Sequence, residues 1–332
     1  MKALLSKVAG GPETLVLDDI PPPRATLGFV LVQVKAVGVN YPDVLLIEDR
    51  YQVKPKRPFA PGGEVAGIVL VAPEGMEHLK PGDRVLGIGT SGGMAQQMLV
   101  AIDRIARIPD SMPFDEAAAF LYTYGTAWYG LKSRGRLEAG ESLLVLGAAG
   151  GVGLAAVELG KALGARVIAA ASTEQKVALA LSRGADAGVV YPRGAIDREE
   201  GRALAARFRQ ANLSKGVDLV FDPIGGDYAE PAMRALADRG RYLVVGFASG
   251  VPRVPFTLPL LKECEVIGVL WGSGIARDPA GYRRQVQALL QLHAAGKIRP
   301  HISERFPLAR GGEAIAHLAN RKAMGKVIVL VN

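Results

Sequence analysis

Cysteine is nearly absent from this sequence of 332 residues, in which Cys264 is the only one. A single cysteine excludes a disulfide within the chain and any metal site built from several thiolates. Histidine is also scarce, and the four residues of this type show no spacing typical of metal ligands: His78, His293, His301 and His317. No run reaches the roughly 18 apolar residues that a membrane-spanning helix needs. The first residues lack the apolar core of a secretory signal, so we expect a cytoplasmic protein.

Acidic residues are the minority among the charged side chains. Forty Lys and Arg against 32 Asp and Glu give a formal net charge of +8. The basic residues are scattered apart from Lys54–Arg57, whereas nucleic-acid-binding modules cluster them. The positive charge therefore favours an anionic small ligand over a nucleic acid. The composition, 49% hydrophobic and 22% charged, is typical of globular proteins, and the length suits two domains.

The two parts of the chain differ in pattern. In the first 120 residues, short apolar runs such as Val65–Val71 are separated by turn signals such as Lys80–Asp83, which predicts a mostly β unit. From about residue 123, apolar strands from Leu143–Leu146 to Glu265–Leu270 alternate with longer amphipathic segments. This alternation predicts α/β architecture with a doubly wound parallel sheet. Six strands complete that sheet, so we expect the last strand, Gly325–Val331, to return to the first domain.

The strongest motif is the glycine-rich turn Gly147–Gly153, which lies between a predicted strand and a helix predicted from Gly153 to Leu163. Gly150 and Gly151 would let the backbone approach a pyrophosphate, and Gly153 would let the helix pack tightly on the strand. The motif departs from the usual G-x-G-x-x-G at Ala148. Its position between strand and helix predicts dinucleotide binding at the helix N-terminus.

The end of the next strand, Arg166–Ala171, indicates which dinucleotide binds. NAD enzymes commonly carry an acid there for the ribose 2′-hydroxyl, and this strand has none. Ser172 and Lys176 follow it and suit a 2′-phosphate, although Lys176 as a solvated helix residue is the alternative. Tyr191, at the end of the following strand, is placed to reach the same pocket. Glu174 lies beyond the strand end, where it would cap a helix. The pattern predicts NADP(H).

Six segments then occur in a recognisable order: Gly38–Asp43, Pro61–Gly67, Leu121–Trp128, Gly147–Gly153, Val244–Phe247 and Arg321–Val327. Together they resemble the medium-chain dehydrogenase/reductase superfamily, in its zinc-independent, zeta-crystallin-like quinone oxidoreductase branch. The resemblance covers nearly the whole chain. It implies a GroES-like substrate domain at residues 1–122 with 297–332, and a Rossmann dinucleotide-binding domain at residues 123–296.

Zinc-dependent members of this superfamily place a Cys in the first of these segments and a His before the Glu of the second. Here Gly63 precedes that Glu, and Val39–Asp43 contains neither Cys nor His. Catalytic zinc needs three protein ligands and an open position. We therefore expect a metal-free mechanism.

The resemblance also implies roles for individual residues. Two line the nicotinamide ribose and ring (Asn40, Thr126), three form the flanking wall (Phe247, Trp271, Gly272), and two close the site from the C-terminal segment (Asn320, Lys326). With the residues already discussed, the expected cofactor contacts are Asn40, Thr126, Gly147, Gly150, Gly151, Val152, Gly153, Ser172, Lys176, Tyr191, Phe247, Trp271, Gly272, Asn320 and Lys326.

Two tyrosines are candidates for the catalytic proton donor. Tyr51 matches the catalytic tyrosine of related enoyl reductases, and Tyr41 is the reserve. For either residue the alternative is packing with a hydrogen-bonded hydroxyl. Asp43 would orient Tyr41 or cap a helix that begins near Val44.

The hypothesis that follows is NADPH-dependent reduction of a quinone or a related conjugated carbonyl compound. Two alternatives stay open: an enoyl-thioester or alkenal reductase of the same superfamily, and an NADPH-binding protein with an RNA-binding or structural role. We also expect a homodimer, because the strand Val266–Leu270 would lie at the edge of the cofactor sheet and expose its backbone groups.

Overall fold

The computed structural model describes residues 1–73 and 79–332, so His78 lies outside the described residues. The chain forms two compact units. The first unit comprises Met1–Tyr122 and Arg299–Asn332, and the second comprises Thr123–Ile298. Among the helices of these described residues, none is both long enough and apolar enough to cross a membrane.

The strands, in chain order, are β1 (Lys2–Leu5), β2 (Val16–Asp19), β3 (Phe29–Val39), β4 (Glu64–Val71), β5 (Arg84–Ile88), β6 (Gln97–Ala101), β7 (Ile105–Arg107), β8 (Ser142–Leu146), β9 (Arg166–Ala171), β10 (Ala187–Val190), β11 (Val217–Asp222), β12 (Leu236–Val244), β13 (Glu265–Gly268), β14 (Ile302–Pro307) and β15 (Lys326–Leu330).

The α-helices are α1 (Tyr41–Ile47), α2 (Phe114–Ala118), α3 (Thr126–Trp128), α4 (Gly151–Ala162), α5 (Glu174–Ser182), α6 (Arg198–Ala211), α7 (Ala229–Ala235), α8 (Thr257–Lys262), α9 (Trp271–Arg277), α10 (Pro279–Ala294) and α11 (Gly311–Ala319). Two π-helical segments, Leu121–Gly125 and Tyr129–Arg134, flank α3. Short 3₁₀ turns occur at Pro12–Thr14, Gly226–Tyr228 and Leu308–Arg310.

The second unit is built on a six-stranded sheet in the order β10-β9-β8-β11-β12-β13, with every neighbouring pair parallel. All five residues of β8 are buried, because helices cover both faces of such a sheet. Counted along the unit, this order is 3-2-1-4-5-6, the arrangement of dinucleotide-binding sheets. The predicted fold class is confirmed, and β13 lies at the sheet edge as expected.

The first unit contains a seven-stranded sheet in which β14-β15-β3-β4-β5-β7 are neighbours and β6 also pairs with β3. Only β14 and β15 are parallel. The predicted return of the C-terminal strand is confirmed, because β15 pairs with β3 through Val327 opposite Val39. That pairing brings Lys326 to the end of β3, beside the start of α1.

Two helices begin earlier than predicted. α4 starts at Gly151 rather than Gly153, because the turn ends at Gly150, whose extended backbone (φ −79°, ψ 165°) makes it the N-cap. α1 starts at Tyr41 rather than near Val44, with Asn40 as its N-cap. Asp43 is consequently the third residue of α1, which decides what its carboxylate does.

Candidate functional site

The glycine-rich turn has the shape that Gly153 predicts. A Cβ on Gly153 would lie 2.2 Å from the carbonyl oxygen of Gly147, so no side chain fits where α4 passes over the turn. Gly147 itself has φ +60°, a conformation that glycine adopts without strain, and a Cβ there would meet Ile224 at 2.5 Å. Both glycines are required by packing within the second unit.

Gly150 differs from these two. A Cβ on Gly150 would meet only the carbonyl oxygen of Gly147, at an ordinary 3.4 Å, and its φ of −79° suits any residue. The N-cap of α4 therefore offers no side chain to the first amides of a 12-residue helix, although the space would admit one. Backbone amides at a helix N-terminus bind anions, and an absent Cβ leaves room for a phosphate to reach them.

The chain after β9 forms the region expected to meet a 2′-phosphate. Ser172 and Thr173 are half-buried, and Thr173 caps α5 by accepting a hydrogen bond from the backbone N–H of Lys176 (3.2 Å). Thr173, and not Glu174, is thus the cap of this helix. Lys176 lies in the first turn, where the helix dipole disfavours a cation. An anionic ligand would offset that cost.

Tyr191 is placed beside the same strand end but points into the core. Its backbone N–H donates to the carbonyl of Ala171, the last residue of β9 (2.9 Å). Its side chain is 5% exposed, and its ring lies 4.6 Å from that of Tyr228. The phenol is therefore part of the hydrophobic core of the second unit.

Three of the residues expected at the nicotinamide follow the ends of β12 and β13: Phe247, Trp271 and Gly272. Trp271 is buried at the start of α9, and a Cβ on Gly125 would lie 2.3 Å from its indole ring. Thr126 follows Gly125 directly, so it lies next to the indole. Phe247 is half-exposed and helps to line a cavity of about 430 Å³ at the ends of these strands.

Gly272 is the next residue after Trp271 and has open space around it. It is exposed, and a Cβ added to it would meet no atom within 4 Å. Glycine inside a helix is less favourable than alanine, so internal packing gives no reason for this residue. A ligand that approaches the backbone closely would explain why glycine is present at this position.

In the first unit, Lys326 lies at the centre of a buried polar cluster. Its ammonium donates to three acceptors: Asn40 Oδ1 (2.7 Å), Glu64 Oε2 (2.9 Å) and the carbonyl of Val39 (3.2 Å). An ammonium has three donors, so this set uses all of them. Lys326 is 4% exposed and Glu64 1%. Asn320, also expected at the site, is exposed at the end of α11.

Asn40 is held by the same cluster. Its Nδ2 donates to Glu64 Oε2 (3.0 Å) and to the carbonyl of Gly38 (3.1 Å), while its Oδ1 accepts from Lys326. Both amide donors are therefore engaged inside the unit. The capacity that remains for a ligand is the second lone pair of Oδ1.

Asp43 acts as a helix cap. Its carboxylate accepts hydrogen bonds from the backbone N–H of Asn40 (2.8 Å) and of Gly62 (2.9 Å). These contacts tie the start of α1 to the segment before β4, which is the capping alternative of the sequence analysis. Burial raises the pKa of Asp43 to about 6, although the two N–H donors lower it.

The two candidate proton donors have different surroundings. Tyr41 is exposed on the first turn of α1, whereas Tyr51 is half-buried against the core of the first unit. Burial and the neighbouring Asp43 raise the pKa of the Tyr51 phenol, while a hydrogen bond with Gln52 lowers it. The phenol therefore stays protonated at neutral pH and is available as a donor.

The residues present do not fit a catalytic zinc. A Cβ at Gly63 would lie 2.6 Å from both the carbonyl oxygen of Gly89 and the hydroxyl of Tyr122, so the position has no room for a side chain. Within the part of the chain that the structure describes, no three His, Cys, Asp or Glu residues are grouped to hold a metal ion. Burial raises the pKa of the Cys264 thiol.

Two residues of the first-unit cluster were not assigned by sequence reasoning. Glu64 holds Asn40 and Lys326 through Oε2, and its Oε1 accepts from the backbone N–H of Tyr122 (2.9 Å). The Tyr122 hydroxyl donates to the carbonyl of Gly89 (2.7 Å). The available signal was an acid and a lysine in two otherwise apolar strands, β4 and β15, since buried charges are rarely unpaired.

Family models match both units. Residues 27–110 match the alcohol dehydrogenase GroES-like domain, and residues 151–294 match a model described as zinc-binding dehydrogenase.

Individual relatives span the full chain. Quinone oxidoreductase-like protein 2 of Bos taurus is 36% identical over 317 residues, which are 95% of this chain and 88% of that protein. A crystal structure of a probable oxidoreductase from Mycobacterium abscessus is 38% identical, with a TM-score of 0.89 over 99% of this chain and 98% of the other. The Escherichia coli quinone oxidoreductase complexed with NADPH is 28% identical, with a TM-score of 0.88 over 99% and 100%.

Proposed function

Because the chain belongs to the quinone oxidoreductase branch of the medium-chain dehydrogenase/reductase superfamily, we propose that it reduces a quinone or a related conjugated carbonyl compound with NADPH. The observation that carries this proposal is the turn at Gly150, where the N-terminus of α4 is open to an anion and no packing requires the glycine. The enzyme class follows from the family, whereas the acceptor and the coenzyme are the proposal.

The preference for NADPH over NADH rests on the end of β9. No acid is present there to bind a ribose 2′-hydroxyl, and Ser172 is followed by Lys176 in a helix turn that disfavours a cation. A 2′-phosphate would complement both residues. The Escherichia coli relative was solved with this coenzyme.

The bound coenzyme would supply the hydride, and the side chains and backbone of this protein would bind and orient it. We assign the pyrophosphate to Gly147, Val152 and the amides of Gly150, Gly151 and Gly153, and the nicotinamide end to Thr126, Phe247, Trp271 and Gly272. The second lone pair of Asn40 Oδ1 would accept a hydrogen bond from a ribose hydroxyl. Since the donors of Lys326 are all engaged, we assign it to holding Asn40 rather than to direct contact.

Charge that develops on the acceptor oxygen needs hydrogen-bond donors. Tyr51 is our candidate, with Tyr41 in reserve, because the Tyr51 side chain is half-buried in the first unit whereas Tyr41 is exposed. A phenol donor would also serve the second candidate function, reduction of an enoyl thioester or alkenal, in which a proton must be delivered to carbon.

The experiment that tests the proposal is a spectrophotometric screen of NADPH and NADH with quinones, alkenals and enoyl-CoA thioesters. We expect oxidation of NADPH, and not NADH, with at least one quinone. Turnover of an enoyl-CoA without turnover of any quinone would decide for the second candidate. Failure with every acceptor, together with absent NADPH binding, would contradict both.

We also propose a homodimer formed through β13. Among the described residues, β13 pairs with β12 and with no second strand, and Val266 is 51% exposed. The adjoining α8 and its N-cap add three exposed apolar side chains: Phe256, Leu260 and Leu261. Unpaired edges beside an apolar surface favour association. Light scattering should report twice the mass of the chain. The Val266→Lys substitution should lower the measured mass toward that of the monomer. A wild-type monomer would contradict this assembly.

A further inference from the structure

The buried carboxamide of Gln285 connects two segments of the second unit. Gln285 lies on α10, on the buried face that also carries Tyr282 and Val286, and is 8% exposed. Its Oε1 accepts a hydrogen bond from the indole N–H of Trp271 (3.2 Å). Its Nε2 donates to the backbone carbonyl of Gly125 (2.6 Å).

The chemistry of the two partners determines which way the amide is turned. An indole N–H can only donate, and a backbone carbonyl can only accept. The bridging side chain must therefore accept at one end and donate at the other. Glutamine does both, while methionine has no donor and only a weak sulfur acceptor, and a carboxylate can only accept. Because the site is buried, water does not readily replace the missing partner.

Both connected segments continue directly into residues assigned above to the nicotinamide. Gly125 precedes Thr126, and Trp271 precedes Gly272. The indole rests on the backbone of Gly125, where a Cβ would lie 2.3 Å from it, and the ring of Tyr282 also lies near it, with centroids 6.0 Å apart. The hydrogen bonds of Gln285 set the direction of the indole within this packing, and with it the start of α9.

We propose that Gln285 is a positioning residue, whose carboxamide holds Thr126 and Gly272 at the separation that the nicotinamide end of the coenzyme requires. This inference rests on the proposed function, because it presupposes that a nicotinamide binds there. Gln285 touches no reacting atom and acts only through Trp271 and Gly125.

The inference predicts an effect confined to one half of the coenzyme. The residues assigned to the adenosine half, Ser172 and Lys176, follow β9, whereas Trp271 follows the edge strand β13, which three strands separate from β9 in the same sheet. Loss of the two hydrogen bonds of Gln285 should therefore weaken the binding of a ligand that carries nicotinamide. It should leave the binding of a ligand without nicotinamide unchanged. A general loss of folding would weaken the binding of both kinds of ligand.

The test compares the full-length wild-type protein with Gln285→Met, and with Gln287→Met as the control, since Gln287 is exposed on the same helix. For Gln285→Met we expect the Kd of NADPH to rise about tenfold and that of 2′,5′-ADP to stay unchanged. A second readout needs no ligand. In a Trp128→Phe background, where Trp271 is the remaining tryptophan, Gln285→Met should increase quenching of its fluorescence by acrylamide.

A second variant, Gln285→Glu, provides a test even if Gln285→Met does not fold. A protonated glutamic acid can donate to Gly125 and accept from Trp271, whereas its carboxylate cannot donate. The ratio of its NADPH Kd to that of the wild type should therefore increase as pH rises, and the ratio for Gln285→Met should not. Equal weakening of NADPH and 2′,5′-ADP, or unchanged NADPH binding, would overturn the inference alone. A wild-type protein that binds neither ligand would overturn the proposed function as well.

Discussion

Lys326 Nζ lies 2.9 Å from Glu64 Oε2, and both side chains are almost wholly buried. The pair also engages Asn40, the residue we assign to the coenzyme ribose. The ion pair thus connects β15 and β4 across the end of β3, so the position of Asn40 depends on three strands. Removing one partner would leave the other charge buried without compensation.

We therefore expect Lys326→Met to lower the free energy of unfolding by about 3–5 kcal/mol, measured by urea denaturation. Lys326→Met combined with Glu64→Gln should recover part of this loss, because no charge then remains buried. A single variant as stable as the wild type would show that the Glu64 carboxylate finds another partner.

Asp43 should make stability depend on pH. Burial raises its pKa to about 6 in the folded protein, against 3.8 as the ordinary value. Between these values the folded state binds more protons than the unfolded state, so the contribution of this group to stability is present below about pH 4 and is lost as pH rises through 6. The difference corresponds to about 3 kcal/mol.

Urea unfolding of the wild type and of Asp43→Asn at pH 4.5 and pH 7.5 isolates this term from other carboxylates. The free energy of unfolding of the wild type minus that of the variant should be larger at the lower pH. A difference that is constant, or that grows with pH, would contradict the raised pKa.

Two glycines of the turn have different roles: Gly153 is required for packing, and Gly150 is assigned to binding. Gly153→Ala should lower the melting temperature strongly, because its Cβ would lie 2.2 Å from a carbonyl oxygen. Gly150→Ala should leave the melting temperature unchanged but raise the Kd of NADPH about tenfold or more. The new methyl group would occupy the space through which the pyrophosphate reaches the amides. Calorimetric titration and thermal denaturation measure both. Unchanged affinity in Gly150→Ala would place the pyrophosphate elsewhere.

Tyr51→Phe tests the proton donor. If the phenol delivers a proton to carbon, the variant should lose about 10²- to 10⁴-fold in reduction of alkenals or enoyl thioesters, whereas quinone reduction should be largely retained. Its Kd for NADPH should match that of the wild type. Retained activity with all acceptors would remove Tyr51 from the mechanism and leave Tyr41→Phe as the variant to examine.

The sequence predicted those parts of the site that depend on neighbouring residues. The turn at Gly147–Gly153 follows a buried strand and opens a helix, and both are visible as local periodicity. The contact between Glu64 and Lys326 joins residues 262 positions apart, and it depends on the pairing of β15 with β3. No local pattern specifies that pairing, so the cluster around Asn40 emerged only from the fold.

The same reasoning explains why Gln285 was not predicted. The apolar residues Tyr282, Val286 and Leu289 recur at helical spacing, which would have indicated α10 and its buried face. That Gln285 lies on this face marks it as a buried polar group in need of partners. Which partners it finds depends on Trp271, 14 residues earlier, and on Gly125, 160 residues earlier.

Gly272 gives the sharpest separation of stability from binding, because Gly274 in the same helix is its matched control. A Cβ on Gly274 would lie 2.6 Å from the ring of Tyr129, whereas one on Gly272 would meet open space. Gly274→Ala should therefore destabilise the protein. Gly272→Ala should raise the free energy of unfolding by up to about 1 kcal/mol, since alanine is the better helix former.

If Gly272 is kept free of a side chain by the coenzyme, that more stable variant should bind NADPH less tightly while its affinity for 2′,5′-ADP is unchanged. Both constants can be measured by fluorescence titration beside urea unfolding of the same preparations. A gain in stability with unchanged NADPH affinity would separate Gly272 from the coenzyme. A gain in stability with weakened binding would show that the start of α9 gives up helix stability for contact with the nicotinamide.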